Sequence, residues 1–169
     1  MSWTGADWIV LAANVLGWPV IHIADSAWAT RWPADRFDPA APLYRERAWE
    51  RGGALYERLF RIRAWKRRLP DAGALFPGGF RKAALAGRDA AYLDRFARET
   101  CRGELVHWIT LAFAPLFFAW NPPWAMAVMA VYGVLANVPC ILAQRYNRIR
   151  LSRVAGRAPR SSHGKNGRP

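Results

Sequence analysis

Three stretches of the chain are predominantly apolar: residues 7–30, 105–120 and 124–143. A helix needs about 20 mostly apolar residues to cross the hydrocarbon core of a bilayer. The first and last stretches meet this length, whereas the middle one is shorter, so we expect its helix to begin upstream among polar residues. The pattern predicts an all-α integral membrane protein with about three transmembrane helices, at residues 7–30, 102–120 and 124–143.

An Asn-Pro-Pro tripeptide at residues 121–123 separates the second and third apolar stretches. Successive prolines cannot continue a helix, so this tripeptide predicts a tight turn between two helices of a hairpin. One N-terminal span and this hairpin would form a single membrane domain over residues 1–153. Within it, residues 31–101 form a cytoplasmic segment, and residues 154–169 follow as a disordered basic tail.

The basic residues fix the expected orientation, because every Lys and Arg lies in residues 31–102 or 145–168. Basic residues beside membrane spans remain on the cytoplasmic side. The distribution therefore predicts a multi-pass protein with its N-terminus outside and its C-terminus in the cytoplasm. A cleaved signal peptide at residues 1–30 is the alternative, but the stretch lacks a basic n-region, which favours a retained span.

Two parts of the cytoplasmic segment alternate apolar and charged residues with helical spacing. Between Leu55 and Leu69 most apolar side chains fall on one broad helical face. This amphipathic pattern fits a helix lying on the cytoplasmic leaflet, and it fits equally a helix packed against the rest of the protein. The second part, residues 90–98, predicts an amphipathic helix that continues into the polar sequence after it.

The formal charge of +13 and the pI near 11.1 are compatible with nucleic-acid binding. However, the charge flanks the apolar stretches and no nucleic-acid recognition motif is present, so anionic lipid explains it more simply. We expect a lipid bilayer and no nucleic acid as a partner. The 2 cysteines and 3 histidines show no metal-ligand spacing, so no metal site is expected.

The polar residues at the start of the second span form the first candidate site. Glu104 and His107 are three residues apart and share a helix face, and Glu99 lies on the same side. A carboxylate beside an imidazole fixes its tautomer and raises its basicity, which suits a general base. Ionisable residues at membrane depth are costly, so we take these three as candidate catalytic residues. The alternative is a structural anchor in which Glu104 pairs with Arg102 or Arg145.

The polar residues that follow the third span would face this cluster across the hairpin. Arginine forks bind phosphate and carboxylate oxygens, although a basic stop after a span is also an ordinary membrane anchor. In the first span, His22 and Asp25 form a second pair three residues apart. Pro115 and Pro139 each remove a backbone hydrogen bond within an apolar span. The candidate substrate-binding residues are Arg102, Gln144, Arg145, Asn147, Arg148 and Arg150.

Several motifs carry a family resemblance: RWPADRF (31–37), RAWKRRLPDAG (63–73), ETCRGELVHW (99–108), ANVP (136–139) and QRYNRIRL (144–151). Over residues 31–151 the chain resembles the glycosyl-4,4′-diaponeurosporenoate acyltransferase family. The resemblance implies a small bacterial plasma-membrane acyltransferase. It also implies esterification of a fatty acyl group onto the glucose 6-hydroxyl of a glycosylated carotenoid, as in staphyloxanthin formation.

Given that reaction, we expect His107, oriented by Glu104, to take the proton from a sugar hydroxyl as the hydroxyl attacks an activated acyl carbonyl. The basic residues after the third span would bind the donor's phosphates or stabilise the oxyanion. We expect no cofactor besides the acyl donor, a CoA or carrier-protein thioester, and an acceptor that is a glycosylated carotenoid or similar glycolipid. Cys101 could serve as a nucleophile, but direct transfer is simpler.

A different class of function also fits the sequence. The protein could be a non-catalytic membrane scaffold or a lipid-headgroup-binding module of a lipid or carotenoid pathway. Such a module would depend on the total positive charge of the cytoplasmic face and would tolerate the loss of Glu104 and His107. The enzyme hypothesis predicts the reverse.

Overall fold

A computed structural model describes residues 4–69, 80, 87 and 89–155 of the chain. In this part of the chain every regular element is helical, which confirms the predicted all-α class. The α-helices are α1 (Gly5–Thr30), α2 (Ala54–Phe60), α3 (Ile62–Trp65), α4 (Ala90–Ala112) and α5 (Pro123–Ala155). Short 3₁₀ helices lie at Ala34–Arg36, Ala48–Gly53, Lys66–Arg68 and Ala114–Ala119.

Two of these helices, α1 and α5, are long and apolar enough to cross a membrane. Their most apolar 18-residue windows have mean hydropathies of 1.4 and 2.0. Only 17% and 33% of those windows are buried inside the protein, whereas the core helix of a soluble protein is mostly buried. Large apolar side chains such as Ile9 and Leu135 are therefore exposed, at 72% and 69%.

The middle apolar stretch does not form a third helix of this kind, so the predicted count of three spans is not confirmed. Helix α4 ends at Ala112, and the chain continues as the 3₁₀ helix Ala114–Ala119 up to the turn before α5. Pro115 explains the change, because a proline disfavours the α conformation in the residue before it and cannot donate a backbone hydrogen bond. Helix α4 therefore ends within the stretch predicted as the second span, residues 102–120.

The predicted turn at residues 121–123 is present, and side chains of α1 hold it in place. Asn14 Oδ1 accepts hydrogen bonds from Trp120 Nε1 at 2.9 Å and from Asn121 Nδ2 at 2.7 Å. One turn further along α1, the Trp18 ring stacks on Phe117 with centroids 4.9 Å apart. These contacts fix α1 against the 3₁₀ helix that ends the hairpin's first arm.

The segment predicted as one amphipathic helix between residues 55 and 69 is broken. Arg61 has φ 48° and ψ 44°, in the left-handed region, and separates α2 from α3. Tyr56 and Ile62 are buried against Tyr146 and Ile149 of α5. The sequence allowed this segment either to lie on the membrane surface or to pack against the protein. Its Tyr56 and Ile62 side chains pack against the protein.

Helix α4 carries the predicted amphipathic piece at residues 90–98 and the following polar motif in one continuous helix, as expected. It packs most extensively against α5 and also contacts α1. Helix α5 extends beyond the apolar stretch to Ala155, so the QRYNRIRL motif is helical as well. Apart from residues 154 and 155, which are helical, the predicted basic tail lies outside the described residues.

Candidate active site

Two groups of polar side chains meet where α4 faces α5. The first, called here the ionic cluster, consists of Glu50, Glu104, Arg145 and Arg148. Glu104 is fully buried, and its carboxylate accepts a hydrogen bond from Arg145 Nη1 at 3.0 Å and another from Arg148 Nη2. Trp108 Nε1 lies 3.4 Å from the same carboxylate. The cluster thus joins α4 to α5 through charge-assisted hydrogen bonds.

Glu50 supplies the second carboxylate of the ionic cluster from the 3₁₀ helix Ala48–Gly53. It accepts hydrogen bonds from Arg145 Nε at 3.1 Å and Arg145 Nη2 at 3.2 Å, and a third from the Tyr56 hydroxyl. Burial alone would raise the pKa of the Glu50 carboxyl, but these hydrogen bonds lower it below its usual value. Because Arg145 contacts both carboxylates, one guanidinium ties this 3₁₀ helix to α4 and α5.

Arg145 and Arg148 also hold the loop before that 3₁₀ helix. Arg145 Nη1 donates to the carbonyl of Leu43 at 2.9 Å, and Arg148 Nε donates to the carbonyl of Tyr44 at 3.0 Å. In this arrangement Glu104 pairs with Arg145, as the anchor alternative foresaw. The two arginines proposed for substrate binding are engaged with protein groups.

The other proposed partner of Glu104, Arg102, pairs with Glu99 instead. Arg102 Nη1 donates to both oxygens of the Glu99 carboxylate at 2.8 Å. Arg102 Nη2 donates to the carbonyl of Trp32 at 2.7 Å, and both members of the ion pair are buried. Through the Trp32 carbonyl, Arg102 holds the residues just after α1 against α4, so the ion pair has a structural role.

The second group, called here the imidazole cluster, consists of His22, Asp25, His107, Thr110 and Asn137. His107 Nδ1 lies 3.0 Å from Asn137 Oδ1, and Asn137 Nδ2 donates to the carbonyl of Gly133 at 2.9 Å. Since Nδ2 is committed to that carbonyl, Oδ1 accepts from the ring. His107 therefore carries its proton on Nδ1, and Nε2 is its basic nitrogen.

The second imidazole of this cluster is held from α1 and α4. The Thr110 hydroxyl donates to the Asp25 carboxylate, and His22 Nδ1 lies 3.1 Å from the Thr110 hydroxyl oxygen. The hydroxyl has two acceptors, the Asp25 carboxylate and the carbonyl of Val106 at 3.0 Å. Because its single proton points to one of these, the ring nitrogen donates to the hydroxyl oxygen. The His22 and His107 rings lie with centroids 4.9 Å apart. The structure thus joins the second predicted pair, His22 and Asp25, to the candidate base His107.

Sequence reasoning missed two members of the imidazole cluster, Asn137 and Thr110. Asn137 lies within the ANVP motif of an otherwise apolar stretch. A polar amide side chain in such a stretch was the signal in the sequence that could have identified it as a site residue. Thr110 gave no signal, because its partner Asp25 is distant in sequence. Among the residues that the structure describes, no group of three or more His, Cys, Asp or Glu could hold a metal ion.

The other predicted substrate-binding residues lie further along α5. Gln144 packs on Gly103, where an added methyl group would meet Gln144 Nε2 at 3.1 Å. Asn147 accepts a hydrogen bond from Lys66 Nζ. Burial lowers the pKa of Lys66, and nearby Arg67 and Arg150 lower it further. Asn147 and Arg150 thus lie beside a cluster of cations, away from the ionic cluster.

Cys101 was the other candidate nucleophile. It is fully buried in α4, and burial raises the pKa of its thiol to about 12. The thiolate is the nucleophilic form of cysteine, so this residue stays unreactive near neutral pH.

These features define a small all-helical protein with two helices of membrane length and a polar site between α1, α4 and α5. The family model for glycosyl-4,4′-diaponeurosporenoate acyltransferase matches residues 40–157. The chain belongs to this family, and it is an acyltransferase.

Individual relatives agree with the family match. A Staphylococcus haemolyticus protein named glycosyl-4,4′-diaponeurosporenoate acyltransferase is 32% identical over 134 residues, which cover 79% of this chain and 78% of the relative. A Staphylococcus aureus protein of the same name is 27% identical over 137 residues, covering 81% of this chain and 82% of the relative. No solved structure matches the chain.

Proposed function

We propose that this protein is a membrane enzyme that transfers a fatty acyl group to a sugar hydroxyl of a glycosylated carotenoid or a similar glycolipid. The names of its relatives support the acceptor class. The observation that carries the chemistry is the His107–Asn137 pair, because it places the ring proton on Nδ1 and makes Nε2 the basic nitrogen of a half-buried imidazole. Proton removal from a hydroxyl is what an acyl acceptor requires.

The bilayer is the environment that suits the outer surface. Helix α1 has 26 residues and is about 39 Å long, more than the roughly 30 Å of a hydrocarbon core. Its exposed apolar side chains and those of α5 would contact lipid. The basic residues between α1 and α4 support a cytoplasmic location for that segment, with the N-terminus and the turn at residues 121–123 outside.

In the proposed reaction, His107 Nε2 takes the proton of the sugar hydroxyl as the oxygen attacks the acyl carbonyl carbon. The tetrahedral intermediate then collapses: the bond from the carbonyl carbon to the donor's sulfur or oxygen breaks, and His107 returns the proton to the leaving group. Asn137 keeps the ring in the productive tautomer throughout. The reaction needs no cofactor besides the acyl donor.

The remaining candidate residues have positioning or binding roles in this proposal. The ionic cluster holds α4 and α5 in register, so that His107 and Asn137 stay within hydrogen-bond distance. Glu99 and Arg102 fix the segment after α1. Of the predicted substrate-binding residues, Asn147 accepts a hydrogen bond from Lys66, and Arg150 lies near the same ammonium.

A substitution at His107 tests this proposal. His107→Gln should abolish acylation in whole cells, measured by mass spectrometry of the host's carotenoids and polar lipids, while the amount of protein in the membrane fraction stays normal. His163→Gln, the same substitution outside the described residues, is the matched control and should acylate normally. Near-normal acylation by His107→Gln would contradict the mechanism.

A further inference from the structure

A cavity of about 560 Å³ lies between α2, the Trp108 side of α4 and the middle of α5. Its lining is mainly apolar and aromatic, and Arg47 and Arg145 are the cationic residues in that lining. The volume falls within the roughly 300–1,000 Å³ typical of small-molecule pockets. The proposed mechanism does not use this cavity, because neither His107 nor Asn137 lines it.

The cavity has a cationic end and an apolar end. Arg145 Nη1 donates to the Leu43 carbonyl at 2.9 Å, so Leu43 lies at the Arg145 end. The Arg47 backbone N–H donates to Glu50, which Arg145 also binds, so Arg47 lies at that end as well. Val138 marks the other end, because it precedes Arg145 by seven residues on α5, which is about 10 Å along the helix.

These two ends lie at different depths of the proposed membrane. The apolar stretch 124–143 has 20 residues, so as a helix it spans about 30 Å, the thickness of a hydrocarbon core. Arg145 follows this stretch by two residues and lies at the headgroup level, whereas Val138 lies within the hydrocarbon. Trp49 also lines the cavity and is 58% exposed, as is typical of a tryptophan at a membrane interface. The cavity thus runs from the headgroup layer into the apolar layer.

The two cationic residues of the cavity differ in their partners. Arg145 is neutralised by the Glu50 and Glu104 carboxylates. Arg47 forms no ion pair within the part of the chain that the structure describes, and its Nη2 donates to the carbonyl of Pro42. Its remaining guanidinium donors are therefore available to an anion in the cavity. A phosphate is the anion that an arginine fork binds best besides a carboxylate.

We propose that this cavity binds a phospholipid of the inner leaflet, with the phosphate on Arg47 and the first part of one fatty chain in the apolar end. The inference rests on the proposed membrane location. Each part of the lipid meets a matching surface at its own depth: the phosphate meets an unpaired guanidinium, and the chain meets an apolar lining. The leaflet around α5 consists of such lipids, so no other ligand has to be delivered.

This bound lipid is distinct from the acyl donor. The ester carbonyls of a phospholipid lie next to its phosphate, so they stay beside Arg47. Asn137, the partner of His107, precedes Arg145 by eight residues on α5, which is about 12 Å along the helix. The proposed base therefore does not reach these esters. The lipid instead joins α2 to α4 and α5, because side chains of all three helices line the cavity.

Lipid binding to the full-length protein tests the apolar end. The detergent-solubilised protein is titrated with phosphatidylglycerol, and the fraction that carries a bound lipid is measured by native mass spectrometry. Val138→Phe fills the cavity and should weaken binding about tenfold, because the chain loses its apolar burial. Leu135→Phe adds the same ring on the exposed side of the same helix and should bind as the wild type does. Leu59→Trp narrows the cavity from α2 and should also weaken binding, which guards against misfolding of the α5 variant.

The cationic end is tested in the same titration. Arg47→Gln should raise the dissociation constant for phosphatidylglycerol about fivefold, the effect of one basic residue near a membrane surface. Arg47→Lys keeps the charge and should recover part of the affinity. Arg58→Gln changes an exposed arginine of α2 outside the cavity lining and should leave the affinity unchanged. Wild-type affinity in Arg47→Gln would overturn the phosphate assignment.

Other outcomes separate this inference from the proposed function. Wild-type affinity for phosphatidylglycerol in both Val138→Phe and Leu59→Trp would overturn the cavity assignment. Displacement of the bound lipid by palmitoyl-CoA at equal concentration would overturn it too, and would give the cavity to an acyl donor. Recovery of the wild-type protein in the soluble fraction of cells would overturn the membrane location. Absence of the acylated product from cells that express the wild-type protein would instead overturn the proposed function and leave the lipid titration unaffected.

Discussion

Asn137 Oδ1 lies 3.0 Å from His107 Nδ1, while Nδ2 of the same amide donates to the Gly133 carbonyl at 2.9 Å. The hydrogen bond to Gly133 commits Nδ2 of the amide, so it is the amide oxygen that faces the His107 ring. A backbone carbonyl of α5 therefore selects the tautomer of a histidine on α4.

This relationship predicts the effect of changing Asn137. Asn137→Leu should lower kcat by about 100-fold, within the roughly 10²–10⁴-fold that a positioned general base contributes. Asn137→Asp keeps an acceptor oxygen and should lose less activity than Asn137→Leu. Equal kcat values for Asn137→Leu and wild type would contradict the positioning role.

Arg145 is predicted to be a major determinant of stability. Arg145→Met would leave the buried carboxylates of Glu50 and Glu104 without one of their cations, and breaking a buried ion pair costs about 3–5 kcal/mol. The midpoint of thermal unfolding in detergent should fall accordingly. Asp94→Asn, which removes an exposed ion pair with Arg98, is the control and should cost well under about 1 kcal/mol.

Glu50 predicts how stability depends on pH. Its pKa in the folded protein lies below the ordinary value of 4.5, so the ionised carboxyl stabilises the fold above that pH. This contribution should be lost as the pH falls below 4.5 through the folded-state pKa. Thermal unfolding between pH 7 and pH 3 should show a steeper acid decline for the wild type than for Glu50→Gln. Identical pH profiles for the two proteins would exclude a linkage through Glu50.

The proposed topology predicts which residues a membrane-impermeant thiol reagent reaches. Pro122→Cys, in the turn before α5, should be labelled from outside intact cells. Ser152→Cys, near the end of α5, should be labelled only after the membrane is opened. The native Cys101 and Cys140 are both buried, which favours a low background. Labelling of both introduced cysteines in intact cells would contradict the hairpin topology.

The elements that sequence predicted well are those with local signals. The Asn-Pro-Pro turn and the continuous helix from residue 90 through the ETCRGELVHW motif follow from proline chemistry and helical periodicity, which act over a few residues. The end of α4 before Pro115 follows the same chemistry: the hydrogen bond lost at this proline was predicted, but the helical span was still expected to continue to residue 120. The break at Arg61 has no local signal, since neither glycine nor proline occurs there.

The candidate site was only partly predictable, for a different reason. Helical spacing placed Glu104 and His107 on one face, but spacing cannot say which side chains of other elements compete for them. Glu104 is held by Arg145 and Arg148, whereas Nδ1 of His107 meets Asn137. These are long-range contacts that form only after α4 and α5 pack together.

The bridging of two carboxylates by Arg145 also restricts how a fatty chain can reach the cavity. Because this guanidinium, together with Arg148, holds the carbonyls of Leu43 and Tyr44, the loop before the 3₁₀ helix Ala48–Gly53 is tied to α5. Leu59 and Phe60 on α2 remain exposed at 61% and 45%, on the flank of the same cavity. Under the proposed membrane location, a fatty chain would therefore enter this cavity from the lipid, between α2 and α5.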